Sequence, residues 1–114
     1  METEGIINTI SLQEFQKVQL TTGKILTVED HPKADKLYVL KVDIGEKTLQ
    51  IVAGMKPYYT KEEMQGRTII VIKNLEPAEL RGITSEGMLL AAEKEGKVVL
   101  LGTEKEIGPG AKIK

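Results

Sequence analysis

The chain has 114 residues, which fits one domain, residues 1–114, built around one hydrophobic core. Its 16 Lys and Arg are balanced by 17 Asp and Glu, so any affinity for a polyanion must come from a local cluster of cations. The absence of cysteine excludes disulfides, thiol nucleophiles and cysteine-ligated zinc. No apolar segment is long enough to span a membrane and no signal peptide is recognisable, so we expect a cytoplasmic protein without membrane contacts.

The first predicted element is a short helix near residues 11–16. Ser11 and Glu14 have the capping-box spacing, in which each side chain accepts a hydrogen bond from the other residue's backbone amide. Ile10 and Phe15 occupy the positions of a hydrophobic staple on either side of the cap.

Strand patterns then dominate the chain. Residues 18–29 are rich in β-branched and aliphatic side chains, and Gly23 is predicted to form a bulge or a bend. Residues 36–44 alternate between apolar and polar, and a turn at 45–46 leads into a third strand. The side chains predicted to face inward from these two strands are Tyr38, Leu40, Val42, Ile44, Leu49, Ile51 and Ala53.

A second short helix is predicted after the third strand, because Thr60 and Glu63 repeat the capping-box spacing before Gly66. Further strands are predicted at 68–73, 87–93 and 97–101, and a long polar loop at 74–86 separates the first two of these.

These elements describe an all-β fold: a five-stranded OB-fold Greek-key barrel with a short helix between strands 3 and 4. The barrel is expected over about 18–93. The flanks 1–17 and 94–114 then either wrap the barrel or build a dimer interface, since an uncovered sheet edge would invite pairing.

Few residues suit enzymatic chemistry. The single histidine, His31, lies in a polar loop between Asp30 and Pro32, where we predict a solvated side chain. No spacing joins it to a nucleophile and an orienting acid. One histidine without cysteine excludes a structural zinc site. We therefore predict a non-enzymatic protein without a metal or cofactor.

Cationic and polar groups gather on two loops, 30–36 and 74–86, which flank the ligand-binding face of such a barrel. Lysine and arginine suit phosphate, whereas amide and hydroxyl groups suit ribose and base edges. The candidate RNA-binding residues are Lys33, Lys36, Lys41, Lys73, Asn74, Arg81, Ser85 and Met88, with Arg67 before the fourth strand. Two alternatives stay open: the lysines only solubilise the surface, and Met88 fills the core.

Aromatic residues are scarce, and Phe15, Tyr38, Tyr58 and Tyr59 are the complete set. Proteins that bind single strands stack successive bases on aromatic side chains. A folded RNA read by its shape and backbone is therefore the better candidate ligand.

Three segments resemble the tRNA-binding domain appended to methionyl-tRNA synthetases: HPKADKLYVLKVDIG (31–45), IVAGM (51–55) and NLEPAELRGITSEGMLLAA (74–92). The same domain occurs as a free-standing structure-specific tRNA-binding protein and in the human cytokine precursor EMAP II. The resemblance extends over nearly the whole chain. Its most specific part is the Ser-Glu-Gly-Met string at residues 85–88.

The resemblance implies recognition of the outside corner of L-shaped tRNA and homodimerisation through the flanks. It also implies a role as the β subunit of a methionyl-tRNA synthetase, partnered with the catalytic subunit, or as a stand-alone dimer. The binding positions that it implies are Lys33, Lys36, Asn74, Arg81, Ser85 and Met88. The loop before Arg81 is frequently basic in relatives, whereas here Glu76 and Glu79 would weaken phosphate attraction.

The alternative function is that of a CsaA-type export chaperone, which shares the barrel and the dimer but binds unfolded peptide. The Ser-Glu-Gly-Met string is expected in the tRNA binders and not in these chaperones.

Overall fold

The protein is mostly β-structure, with two very short helices. A computed structural model describes residues 7–114, so the first six residues of the predicted flank 1–17 lie outside the described part. In chain order the elements are α1 (Leu12–Phe15), β1 (Leu20–Asp30), β2 (Tyr38–Asp43), β3 (Thr48–Ala53), α2 (Lys61–Met64), β4 (Thr68–Ile72), β5 (Ala78–Leu80), β6 (Ile83–Ser85), β7 (Met88–Leu89), β8 (Ala91–Lys94) and β9 (Lys97–Leu100).

Five strands form one antiparallel sheet in the order β3-β2-β1-β4-β7, which curls into a nearly closed barrel. α2 lies between β3 and β4 in the chain, and its Met64 is fully buried in the core. The predicted fold class, an all-β five-stranded barrel with a helix after the third strand, is confirmed.

The inward face predicted for the second and third strands is also confirmed. All seven predicted side chains belong to the buried core cluster, whereas Lys41 between them is exposed. Burying one face of each strand removes aliphatic surface from water, which is the main favourable contribution to folding.

Both predicted capping boxes form. Ser11 Oγ accepts from the Glu14 amide at 3.0 Å, and Thr60 Oγ1 accepts from the Glu63 amide at 3.1 Å. The glutamates complete each box by accepting from the amide of the capping residue. These bonds satisfy amides that a one-turn helix leaves without partners.

The bulge in β1 lies at Leu26 and not at Gly23. Ile25 pairs with Val42 and Thr27 with Lys41, so Leu26 is the extra residue. Gly23 pairs in regular register, and a Cβ atom there would lie 2.6 Å from Val42 Cγ1. Glycine is therefore needed at this position for close approach inside the barrel.

The Ser-Glu-Gly turn closes the barrel against β3. The Glu86 amide donates to the Gln50 carbonyl at 2.7 Å, and the Gln50 amide donates to Glu86 Oε1 at 2.7 Å. Ser85 Oγ accepts from the Val52 amide at 3.0 Å and donates to the Gly87 carbonyl at 3.0 Å. A Cβ on Gly87 would lie 2.9 Å from the Ile72 carbonyl oxygen, so only glycine permits this approach.

Two expectations about the second half of the barrel were wrong. The segment 74–86 is not a plain loop, because it contains the β5–β6 hairpin. The strand predicted over 87–93 is divided at Leu90, after which β8 leaves the barrel and pairs with β9. Leu90 joins the two sheets, since its amide donates to the Ile70 carbonyl and its carbonyl accepts from the Leu101 amide.

The C-terminal segment 108–113 lies along the first half of β1, on the edge that β2 leaves open. Thr22 exchanges backbone hydrogen bonds with Ala111 and Gly110, and the Ile113 amide donates to the Leu20 carbonyl. The buried Thr22 hydroxyl donates to the Gly108 carbonyl at 2.7 Å and accepts from the Ala111 amide at 2.9 Å. This part of the C-terminal flank therefore covers a strand edge.

Candidate nucleic-acid interface

Residues 74–86, which we call the finger, contain the β5–β6 hairpin, whose tip is a tight turn. Arg81 and Gly82 form the turn with φ values of 54° and 91°. Two successive residues with positive φ define a type I′ turn, which matches the twist of the flanking strands. Arginine adopts this backbone conformation at a cost, and the turn places its side chain at the exposed tip of the hairpin.

His31 anchors the finger to the loop that precedes β2. Its side chain is only 5% exposed, so the prediction of a solvated histidine is wrong. The Lys33 amide donates to Nδ1 at 3.0 Å, and Nε2 lies 2.9 Å from the Leu80 carbonyl oxygen. Nδ1 must therefore carry the lone pair and Nε2 the proton, so the neutral ring bonds on both sides.

Gln50 provides a second anchor, from the outer face of β3. Its Nε2 donates to the Thr84 carbonyl at 2.8 Å, and its Oε1 accepts from Lys41 Nζ at 2.6 Å. An open groove lies between the finger and the face of the sheet. Its lining residues are Glu29, Asp30, Pro32, Val39, Lys41, Gln50, Gly82, Ile83 and Thr84.

Two acids line this groove, Glu29 and Asp30, and Asp30 is paired with neighbouring cations. Asp30 accepts from Lys61 at 2.9 Å and from Lys56 at 3.1 Å. Hydrogen bonding to Lys61, and then to Lys56, holds the pKa of the Asp30 carboxyl below its ordinary value of 3.8. The same contact raises the pKa of Lys61 above 10.5.

Four of the predicted cations surround the groove or its loops without an acidic partner. Within residues 7–114, ion pairs form at Asp30 and between Lys73 and Glu46. Lys33, Lys36, Lys41 and Arg81 take part in none of them, and all four are exposed. Their charges remain available to a polyanion.

Three other candidate residues make contacts that hold parts of the protein together. Lys73 Nζ is 3.4 Å from Glu46 Oε1 in the β2–β3 turn. Asn74 bonds to the segment before β1, accepting from the Gln19 amide at 2.8 Å and donating to the Lys17 carbonyl at 2.7 Å. Ser85 is 6% exposed, and the contacts of its hydroxyl are those that close the barrel.

Met88 and Arg67 complete the predicted set. Met88 is 46% exposed on β7, so it does not fill the core. The Arg67 guanidinium lies 5.3 Å from the centre of the Tyr59 ring, and its Nε donates to the Glu63 carbonyl. Arg67 therefore belongs to the surface around α2.

Sequence reasoning missed the hairpin and both of its anchors. The Arg81-Gly82 pair between two short apolar segments is a hairpin signal that could have been read from the sequence. His31 and Gln50 offered no such signal, because their partners are distant in the chain.

Other site chemistries are not assembled in the described part of the chain. Across residues 7–114, no three His, Asp or Glu side chains converge as metal ligands. None of the helices between these bounds combines the length and apolarity needed to cross a membrane.

A small antiparallel barrel with unpaired cations on its mouth loops is the architecture of many nucleic-acid-binding modules. The family model described as a putative tRNA-binding domain matches residues 20–112. The chain belongs to this tRNA-binding domain family.

Archaeal methionine–tRNA ligases are among the similar proteins. The ligase of Thermococcus onnurineus is 49% identical over 110 residues, which cover 96% of this chain and 15% of the ligase. The ligase of Pyrococcus furiosus is 51% identical over 105 residues, which cover 92% of this chain. The chain thus spans about one seventh of the length of these relatives, 14% in the second case.

Solved structures of two kinds share the fold. A methionyl-tRNA-synthetase-related protein from Pyrococcus horikoshii superposes with a TM-score of 0.89 at 34% identity. The match covers 95% of this chain and 100% of that chain. The CsaA chaperone from Picrophilus torridus superposes with a TM-score of 0.86 at 29% identity, covering 93% of this chain and 100% of its own.

Proposed function

We propose that this chain is a non-catalytic, structure-specific tRNA-binding module that grips the outside corner of tRNA. It serves in the cytoplasm as the β subunit of a methionyl-tRNA synthetase or as a stand-alone dimer. The observation that carries the proposal is Arg81 at the exposed tip of an anchored finger, beside lysines that have no acidic partner. Membership of the tRNA-binding domain family supports it.

Each group has a distinct part in binding. Arg81 offers two parallel N–H donors to a phosphate, and Lys33, Lys36 and Lys41 act as neighbouring point charges. Met88 lays an apolar surface against a ribose or a base. The remaining candidates act indirectly, because Lys73, Asn74 and Ser85 hold the elements that carry the contacting residues.

The ligand is a folded RNA read through its backbone. None of the residues that line the groove is aromatic, so the groove offers no platform for stacking bases. Lys41 and Thr84 in its lining suit phosphate and 2′-hydroxyl groups, which a folded RNA presents in a fixed arrangement.

Replacement of Arg81 tests the proposal directly. Arg81→Asn removes the guanidinium and keeps a residue that favours the type I′ turn. We expect tRNA binding to weaken about tenfold and the slope of log K against log salt to fall by about one. Arg81→Lys should recover part of the affinity, since it keeps the charge and loses the two-pronged geometry.

The control lies in the second hairpin, where Glu95 and Gly96 form a turn of the same type. Glu95→Asn changes the equivalent turn position in a separate two-stranded sheet and should leave binding unchanged. Undiminished tRNA retention in a gel-shift assay by the double variant Arg81→Asn with Lys33→Ala would refute the proposal.

A second candidate function is peptide binding of the chaperone kind, because the CsaA structure from Picrophilus torridus superposes closely on this chain. The two functions can be distinguished by measuring two activities of the same preparation: retention of tRNA, and suppression of the aggregation of a denatured client protein. Activity on the client alone would favour the chaperone.

Homodimerisation through the flanks is part of the proposal. Leu12, Phe15, Val99 and Ile107 lie in the flanks and are 70%, 45%, 44% and 60% exposed, respectively. Cutting the chain after Glu93 would also remove the segment that pairs with β1, so substitutions are the cleaner test. Sedimentation of Phe15→Lys and Val99→Lys should yield monomers, and a persistent dimer in both would exclude this interface.

The proposed protein partner is the catalytic methionyl-tRNA synthetase. Co-purification of the tagged chain from its native cell should recover that enzyme together with tRNA. A weakly binding module gains from being tethered to the enzyme, because linkage raises its effective concentration at the tRNA.

A further inference from the structure

We propose that His31 is a positioning residue that orients Arg81 for RNA binding, an inference that rests on the tRNA-binding function proposed above. The Leu80 carbonyl, which receives the 2.9 Å hydrogen bond from His31, belongs to the peptide group joining Leu80 to Arg81. Restraining that peptide fixes the direction in which the Arg81 side chain leaves the turn.

One imidazole joins the two basic loops. The ring accepts from the Lys33 backbone amide on one side and donates to the peptide before Arg81 on the other. Being 5% exposed, it is protected from competing water. The relative placement of Lys33 and Arg81 is therefore decided by His31 before any RNA arrives.

The anchor restrains these loops without neutralising them. A neutral ring bonded to backbone groups leaves the Lys33 ammonium and the Arg81 guanidinium free of ion pairs within residues 7–114. Two cations held in one arrangement lose less conformational entropy on binding a folded RNA than two independent loops would.

Loss of this anchor should loosen the tip and spare the barrel. Gln50 still holds Thr84 in the middle of the finger, at 2.8 Å. The closure of Ser85 onto Val52 also remains. The barrel is therefore expected to stay folded, and the main defect is expected in binding.

Two substitutions separate the bonds of the ring. In His31→Asn, the side-chain oxygen can replace Nδ1 and accept from Lys33, but the side chain is too short to reach Leu80. In His31→Gln, the longer amide can still donate to Leu80. We expect His31→Asn to weaken binding of a tRNA transcript about tenfold and His31→Gln about twofold, as loss and partial retention of one buried hydrogen bond would do.

Combination with Arg81→Asn distinguishes positioning from a general structural role. Once the guanidinium is absent, His31→Asn should cause little further loss of affinity, whereas a merely structural defect would add in full. In a Lys94→Ala background, which alters an exposed lysine of the second hairpin, the His31→Asn loss should remain complete. Additive losses with Arg81→Asn, or equal losses for His31→Asn and His31→Gln, would overturn the inference.

The wild-type protein supplies a measurement that does not depend on variant folding. Nitrogen NMR of the His31 ring should show the neutral form protonated at Nε2, with that proton exchanging slowly. A ring protonated at Nδ1, or one averaging between forms, would overturn the inference even if both variants failed to fold.

The outcomes also separate this inference from the proposed function. Absence of tRNA binding by the wild-type protein would refute the function itself. Binding that depends on Arg81 but tolerates His31→Asn would refute the positioning role alone.

Discussion

Arg81 and His31 show how single residues define the candidate interface. Arg81 occupies a left-handed conformation at φ 54°, and the buried His31 bonds to the peptide beside it. Each position carries a cost, either backbone strain or burial of a polar ring. The cost of burying the ring is offset by its two hydrogen bonds.

At the residue scale, Asp30 is expected to make the stability of the folded state sensitive to acid. Its pKa is lowered by Lys61 and then by Lys56, so the charged carboxylate stabilises the folded state at pH values above 3.8. That stabilisation is lost as the pH falls from 3.8 through the lower folded-state pKa. Because the carboxylate is exposed, added salt should reduce the effect.

The measurement is the free energy of unfolding in urea between about pH 2 and pH 6. Asp30→Asn should flatten the acid limb of this curve relative to the wild type. Asp35→Asn is the control, since Asp35 is exposed and pairs with no lysine in the described part of the chain. An unchanged acid limb in Asp30→Asn would contradict the assignment.

At the scale of elements, two hairpins have turns of the same type but different contacts with the barrel. Both turn through a left-handed residue followed by glycine, Arg81-Gly82 in the finger and Glu95-Gly96 between β8 and β9. The finger is tied to the barrel through His31, Gln50 and the Ser-Glu-Gly turn. Closure of the barrel and placement of the finger therefore both depend on the Ser-Glu-Gly turn at residues 85–87.

Replacement of Ser85 tests this dependence. Ser85→Ala leaves the buried Val52 amide without an acceptor and the Gly87 carbonyl without this donor. We expect the free energy of unfolding to fall by about 1–3 kcal/mol, the cost of an unmade buried hydrogen bond. Thr84→Ala is the matched control, because that side chain is exposed and the Thr84 contact to Gln50 uses its backbone carbonyl.

Ser85→Ala also separates stability from binding. If Ser85 contacts tRNA through its hydroxyl, affinity should fall under conditions in which Ser85→Ala is fully folded. If Ser85 serves closure, affinity under those conditions should stay within about twofold of the wild-type value.

At the scale of the whole molecule, β1 connects most of the architecture. Its second half pairs with β2, its first half pairs with β4, and the segment 108–113 lies on the remaining edge. The chain therefore covers with its own C-terminal segment an edge that would otherwise be open to another strand.

Thr22→Val should loosen that cover while keeping the shape of the side chain. The hydroxyl bonds to Gly108 and Ala111 are both lost, and Thr22 is 1% exposed, so water cannot replace them. We expect the free energy of unfolding to fall by about 1–3 kcal/mol and the Ala111 amide to exchange its hydrogen faster. Thr27→Val, at an exposed position of the same strand, should change neither quantity.

The sequence by itself determined the local architecture. Alternation over 36–53 identified the buried face, and the capping boxes at Ser11 and Thr60 identified both helices. The family, and the exposed cations Lys33 and Arg81, could also be predicted. Periodicity and capping act between residues a few positions apart, so they can be read directly along the chain.

Only the tertiary structure decided which polar residues stay exposed and which are buried to hold the scaffold. His31 and Leu80 are 49 positions apart, and Asn74 and Lys17 are 57 apart. Ser85 and His31 both stand in polar surroundings in the sequence, yet folding buries them against backbone groups from distant strands. A buried donor or acceptor needs a partner, and that partner is supplied by chain topology and not by neighbouring residues.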